Sequence, residues 1–170
     1  MSHQAMADPH AGMVSFQECL QKGILKLARV GDHLNLFSHF DVPAPGVGRL
    51  TYARLSEDGR TVCAFLACIM NGEVDGFPCV AVGYAVPEKL RNRGAAKKIL
   101  ADVIQDQINQ ARRNGFPAVY IEAVVDVNNL PSQRVASATL GVDRESITDV
   151  ASGRPAFRYT ARYETTQQRR

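Results

Sequence analysis

The chain has 170 residues, 45% apolar and 22% charged, with a formal net charge of +3. That length supports one domain with a real core, and the composition is that of an ordinary globular protein. So small a charge gives no argument for a nucleic-acid partner, and no apolar run approaches the ~20 residues that span a bilayer. Cys19, Cys63, Cys68 and Cys79 form no C-x-x-C pair, and three of them lie in apolar strand-like runs. They are expected to be buried free thiols in a reducing, cytoplasmic compartment. His3, His10, His33 and His39 make no metal-ligand spacing with them, so no metal is expected.

Taken in order, Met1 to Gly12 is polar, lacks the apolar region of a secretory signal and reads as disordered. Val14 to Val30 carries apolar residues at roughly helical spacing, interrupted by Gly23. Leu34 to Phe40 is a second apolar stretch, stopped by Asp41-Val42-Pro43-Ala44-Pro45-Gly46. Together they read as two short helices, or as a helix after a short edge strand. Arg49 to Leu55 and Thr61 to Met70 read as strands joined by a turn containing Asp58-Gly59. Asn71 to Gly76 reads as another turn, and Cys79 to Val86 as a strand buried on both faces and closed by Pro87.

Beyond Pro87, apolar residues recur at Ala96, Ile99, Leu100, Val103, Ile104, Ile108 and Ala111, the spacing of an amphipathic helix. Arg112, Arg113, Gly115 and Pro117 mark its end. Ala118 to Val125 is then a strand parallel to Cys79–Val86, because a strand–helix–strand unit demands a right-handed crossover. Pro131 to Leu140 reads as a helix ended by Gly141. Asp143 to Val150 and Ala156 to Tyr163 read as a closing hairpin, and residues 165–170 as a polar tail. The predicted fold class is α+β: a mixed sheet of an antiparallel meander, a parallel pair with a crossover helix and a C-terminal hairpin, flanked by helices.

The connection Arg91-Asn92-Arg93-Gly94-Ala95-Ala96 carries the chemistry. A helix N-terminus presents amides without internal partners and a partial positive charge. Small residues at 94–96 let an anion approach those amides, and Arg91 and Arg93 add fork donors suited to phosphate oxygens. The alternative is an ordinary connection with solvated arginines.

Arg91-x-x-Gly94-x-Ala96 resembles the Q/R-x-x-G-x-G/A motif of the GNAT superfamily of N-acetyltransferases, where it follows the fourth strand and binds the pyrophosphate of acetyl-CoA. A second run, Glu122-Ala123-Val124-Val125-Asp126-Val127-Asn128-Asn129-Leu130-Pro131-Ser132-Gln133-Arg134-Val135, resembles the E-A-x-V-x-x-x-N-x-x-S-x-R-V run of GNAT enzymes, especially the branch with ribosomal-protein N-terminal acetyltransferases. Leu140-Gly141 resembles the family's closing Leu-Gly-Phe. The resemblance covers roughly Val80 to Gly141. It implies a centrally splayed sheet, a single acyl-CoA N-acyltransferase domain over residues 13–164, and acetyl-CoA as cosubstrate. Ala85, Val86, Arg91, Asn92, Arg93, Gly94, Ala95, Ala96, Asn129 and Ser132 are then its binding residues. Asn129 and Ser132 before a helix are equally ordinary caps.

The reaction so implied is direct transfer of acetyl to a primary amine of a small molecule or protein, with a homodimer as the family's frequent assembly. A lysine-type amine of pKa roughly 10.4 must first lose a proton. Glu122, flanked by apolar residues, is the candidate base, with Glu73 and Asp75 as turn alternatives; a strand-paired carboxylate is the other reading of Glu122. A backbone amide near Ala85 or Val86 would hold the oxyanion, and Tyr84 lines the pocket or sits in the core. The tyrosine many members carry as general acid is absent, with Val135, Ala136 and Ser137 in its neighbourhood. Ser132, water, Tyr159 or Tyr163 are the substitutes.

Other classes fit less well. A dinucleotide site needs G-x-G-x-x-G after a first strand, and a P-loop needs G-x-x-x-x-G-K-[ST]. The histidines all precede residue 40, away from any nucleophile elbow. The alternative function is an acyl-CoA-binding sensor or interaction module of the same fold without turnover.

Overall fold

A computed structural model describes residues 8–166. Its strands form one hydrogen-bonded mixed sheet of eight, and the chain divides into two compact units. One unit holds the described chain up to Ile69 together with Gly83–Val103. The other holds Met70–Val82 and the described chain from Ile104.

The first unit opens with α1, Pro9–Gln21. The Asp8 side chain caps it, accepting from the His10 amide at 3.1 Å, and Pro9 supplies a helix-ready φ at the first position. Residues 9–12 are therefore helical, which corrects the expected disorder there; residues 1–7 lie outside the described residues. Met13 and Phe16 anchor the helix in a cluster with Ala53, Leu55, Val62, Phe65 and Ala67. The Phe16 and Phe65 rings meet edge-on at 5.9 Å. Gly12 sits over the same ring, where an added Cβ would lie 3.1 Å from Phe65 Cζ.

After α1 come β1 (Ala28–Arg29), β2 (Leu36–Ala44), β3 (Val47–Leu55) and β4 (Val62–Val74), consecutive neighbours paired antiparallel as far as β4. The stretch expected as a helix, Leu34 to Phe40, is instead a full strand, because pairing with β3 overrides its local spacing. Pro43, read as a breaker, lies inside it, where the β2–β3 register shifts between Asp41 and Ala44 and no ladder donor is required. Pro45-Gly46, with φ +74° at Gly46, closes the hairpin.

Arg54 on β3 ties this unit together. One guanidinium nitrogen donates to the Asp102 carboxylate and another to Leu34 O at 2.7 Å. His33 Nδ1 and Lys98 Nζ lie 3.5 and 3.4 Å from the same carboxylate.

In the second unit β4 finishes at Val74, so the expected turn at 71–76 contracts to Asp75-Gly76. Gly72, at φ +69° inside the strand, gives the irregularity that the sequence reads as a turn. β5 (Phe77–Ala85) pairs in parallel with β6 (Ala118–Asp126) over Cys79–Val82 and Tyr120–Ala123. β6 pairs antiparallel with β8 (Pro155–Glu164) along nearly its whole length, and β7 (Glu145–Thr148) lies outside β8. Val119, Ile121, Ala123 and Val125 alternate inward along β6, and α3 (Leu130–Leu140) packs on β6 and β8.

The crossover helix α2, Ala95–Arg113, ends in a Schellman-type cap: Phe116 N–H bonds Ala111 O and Gly115 N–H bonds Arg112 O, both at 3.0 Å. Thr165 is 1% exposed and its hydroxyl donates to Phe116 O at 2.5 Å, so the expected polar tail does not begin there. Residues 167–170 lie outside the described residues. No described helix is long and apolar enough to cross a membrane.

Asp102→Asn should cost about 2 kcal/mol of stability in urea unfolding, because the largely buried Arg54 keeps its charge and loses its carboxylate. Lys98→Ala, whose side chain is 64% exposed, should cost less than about 0.5 kcal/mol. Equal effects would show that the Arg54 contact is not the one that matters.

Candidate active site

β5 ends at Ala85, Pro87 stops the ladder, and a single 3-10 turn at Glu88–Leu90 lifts the chain into the loop that starts α2. Asn92 (φ +62°) and Gly94 (φ +77°) are both left-handed. The first helical bond here runs from Lys98 N–H to Gly94 O at 3.0 Å, so the amides of the preceding turn have no i−4 carbonyl to bond. Nothing lies within 4 Å of the position of a Cβ at Gly94, and Arg91, Asn92, Arg93 and Gly94 are exposed. Ala95 and Ala96 are half-buried. The loop is open, basic and not filled by a bulky side chain. Arg91 Nε donates to Val86 O at 3.2 Å, which fixes the loop against the end of β5. Arg91 therefore has a structural bond that the motif alone does not reveal.

Tyr84 and Val86 are buried, and Tyr84 continues the inward alternation of Val80 and Val82. That is the core position of the two readings. Ala85 packs against the cluster containing Met13 and Phe16.

Glu122 lies on the opposite face of β6 from Ile121 and Ala123. Its Oε1 accepts from Asn71 Nδ2 at 3.0 Å and its Oε2 from Thr160 Oγ1 at 3.4 Å. It is half-buried, and Thr160 is its direct partner across the β6–β8 ladder. Cys79 lies close by: burial first, then the Glu122 charge, push its thiol up to about 12, with Arg158 opposing. Asp75 is exposed and accepts from Tyr120 OH at 2.7 Å; this bond holds the Tyr120 hydroxyl above the usual tyrosine range. Glu73 is exposed. Of the three carboxylates offered as base, Glu122 alone is half-buried in a strand and held by two side-chain donors. Sequence reasoning missed Asn71, because Asn-Gly reads as a turn, and Thr160, whose role depends on the β6–β8 register.

The turn from β6 into α3 carries the second motif. Asn129 is the helix cap, its Oδ1 accepting from Ser132 N at 3.2 Å, and Pro131 sits in the first turn. The capping reading is thus correct for Asn129, which is exposed; Ser132 is half-buried. Ala136, in the neighbourhood of the absent tyrosine, is wholly buried. Among the acid candidates, Tyr159 is wholly buried with its hydroxyl unpaired among the described residues, and burial raises the Tyr163 hydroxyl above its ordinary range. Cys68 and Cys79 are buried, as expected, whereas Cys19 and Cys63 are half-exposed, and none of the four is in a disulfide. Among the described residues no group of three or more His, Cys, Asp or Glu side chains is placed to hold a metal.

A mixed sheet whose crossover helix begins at an open, basic, left-handed loop defines a class of fold that offers main-chain amides to anions. The sequence matches the Acetyltransferase (GNAT) family over residues 31–142, more than half of the chain, and the protein belongs to that family. No curated protein matches it. Solved structures with similar folds include Mycobacterium smegmatis RimJ in complex with CoA-disulfide, at 20% identity and TM-score 0.53, covering 67% of this chain and 53% of that one. The ribosomal-protein-S5-alanine acetyltransferase from Vibrio fischeri is 12% identical at TM-score 0.51, covering 72% and 64%. AAC(6′)-Ib in complex with paromomycin and acetyl-CoA is 13% identical at TM-score 0.52, covering 66% and 64%. This chain thus spans between 53% and 64% of the length of those three, and at such identities the likeness concerns the fold.

The raised Cys79 thiol has a signed consequence. Its folded value of about 12 exceeds the ordinary value of 9.0, so its contribution to stability is complete below pH 9 and is lost as pH rises toward 12. The stability of the wild type should fall between pH 9 and 11 more steeply than that of Cys79→Ala in urea titrations. Parallel curves would show that the thiol ionises as freely folded as unfolded.

Proposed function

We propose that the protein transfers acetyl from acetyl-CoA directly to a primary amine. The observation that carries this reading is the loop at 91–96: left-handed at Asn92 and Gly94, open above Gly94, and opening α2 directly after β5. There the pyrophosphate takes hydrogen bonds from the amides of Gly94, Ala95 and Ala96, with Arg93 and Asn92 at its edge and Arg91 both supporting the loop and adding charge. Asn129 and Ser132 contact the pantetheine or phosphate region, Asn129 while capping α3. The β5–β6 ladder ends at the Val82–Ala123 rung, although β5 runs on to Ala85. Main-chain groups beyond that rung can bond a ligand in place of a strand.

In the chemical step the neutral amine nitrogen attacks the thioester carbonyl carbon. Glu122 takes the proton the ammonium gives up, directly or through water. The Ala85 or Val86 amide stabilises the oxyanion. The C–S bond breaks and CoA leaves as a thiolate, and the proton still carried by the acylated nitrogen passes to that thiolate through Ser132 or water. A thiol of pKa about 8.5 leaves readily, so a dedicated acid matters less than a base here. Tyr84, buried beside this segment of β5, shapes the site from the core side. The acceptor is a small molecule or a protein amino group, and the reading includes a cytoplasmic homodimer.

Calorimetry with acetyl-CoA and a thiol-release assay over an amine panel test the proposal. Binding with acetylated product supports it. Binding without product from any amine would favour an acyl-CoA sensor, and no binding would remove both. Arg93→Ala should weaken acetyl-CoA binding about tenfold with the melting temperature unchanged, since it removes one charge-assisted contact on an exposed loop.

A further inference from the structure

Gln133 is a buried amide, 6% exposed, in the first turn of α3. A glutamine so placed needs partners for two donor hydrogens and an acceptor oxygen. Its Nε2 donates to two consecutive carbonyls at the end of β6, Asp126 O at 3.1 Å and Val127 O at 2.9 Å. Its Oε1 accepts from Arg144 Nη1 at 3.2 Å, and the Arg144 guanidinium lies 3.9 Å over the Phe157 ring. The same few residues are bonded from other sides. Asn129 N–H bonds Asp126 O at 2.9 Å, the Asn128 amide bonds Asp126 Oδ1 at 2.8 Å, and Val127 N–H bonds Pro155 O at 3.3 Å. The connection from β6 to α3 is thereby held at every residue from 126 to 129, with a buried amide at its centre.

We infer that Gln133, backed by Arg144, is a positioning residue that sets the β6–α3 turn so that Asn129 and Ser132 meet the cofactor. This rests on the acetyl-CoA reading given above. An exposed capping turn with only its own helix bond would fray, and an ordered ligand contact would then carry the cost of ordering the turn. Two bonds from one rigidly packed amide to adjacent carbonyls remove that cost in advance. Arg144 completes the arrangement by satisfying the remaining oxygen, which would otherwise be a buried orphan.

The test is amide hydrogen exchange on the full chain with and without saturating acetyl-CoA, with affinity from calorimetry. In the wild type acetyl-CoA should slow exchange in both 91–98 and 126–133. In Gln133→Met it should slow exchange only in 91–98, with affinity about tenfold weaker. Gln133→Glu keeps the side-chain length and the partner for Arg144 but lacks the two amide donors, and should behave like Gln133→Met. Arg144→Met, a change at an exposed position, should give the same pattern at about threefold. Ligand protection of 126–133 retained in these variants, or lost equally from both segments, overturns the inference. So does wild-type protection confined to 91–98, which leaves the transferase reading standing. No protection anywhere removes both.

Discussion

Two adjacent parallel strands cannot be joined by a tight turn. Once Cys79–Val82 lies parallel to Tyr120–Ala123, the chain must return the length of the strand before it can start again, and α2 is that return. The helix therefore has to begin just beyond the carboxyl end of β5. That single constraint places a set of amides without i−4 helical partners where a strand ends, and the proposed site rests on it. Gly94 supplies the left-handed turn that bends the chain into the helix without a side chain over the amides.

The polar residues around this frame divide into those that hold the backbone and those able to act on a ligand. Arg91 does both, with Nε committed to Val86 O. Asn129 caps α3 and Gln133 clasps the end of β6, so the second motif is first a device for stopping a strand and starting a helix. Glu122 differs. It is a half-buried carboxylate in the middle of a strand, held by Asn71 and Thr160, in a position where an apolar residue would pack more simply. A carboxylate kept there with two donors, above a thiol that its charge helps to keep protonated, is a constrained group rather than a solvated one.

The sequence was most readable where one local signal decided the outcome. Pro87, Gly115 and Gly141 end their elements where expected, and the strand after the crossover helix lies parallel to Cys79–Val82. It was least readable where pairing overrides local preference. Pro43 and Gly72 both look like stops, yet each sits within a strand, Pro43 where the β2–β3 register shifts and Gly72 with a left-handed φ of +69°. The first helix was placed late because Pro9 and the polar residues before Met13 look unstructured until Asp8 is recognised as a cap. The loop at 91–96 and the turn at 129–132 were each legible as motifs. Asn71, Thr160 and Arg144 were not, since each matters only through a partner many residues away.

The central claim concerns the amides at the start of α2, and backbone ¹⁵N–¹H NMR reads them one by one. Adding CoA to the labelled protein should move the Gly94, Ala95, Ala96 and Lys97 resonances the most, downfield as each donates to a phosphate oxygen. Adding 3′-phosphoadenosine 5′-diphosphate, which keeps the 3′-phosphate and the pyrophosphate and lacks the pantetheine, should move the same four. CoA that binds while leaving those four signals in place would contradict the claim.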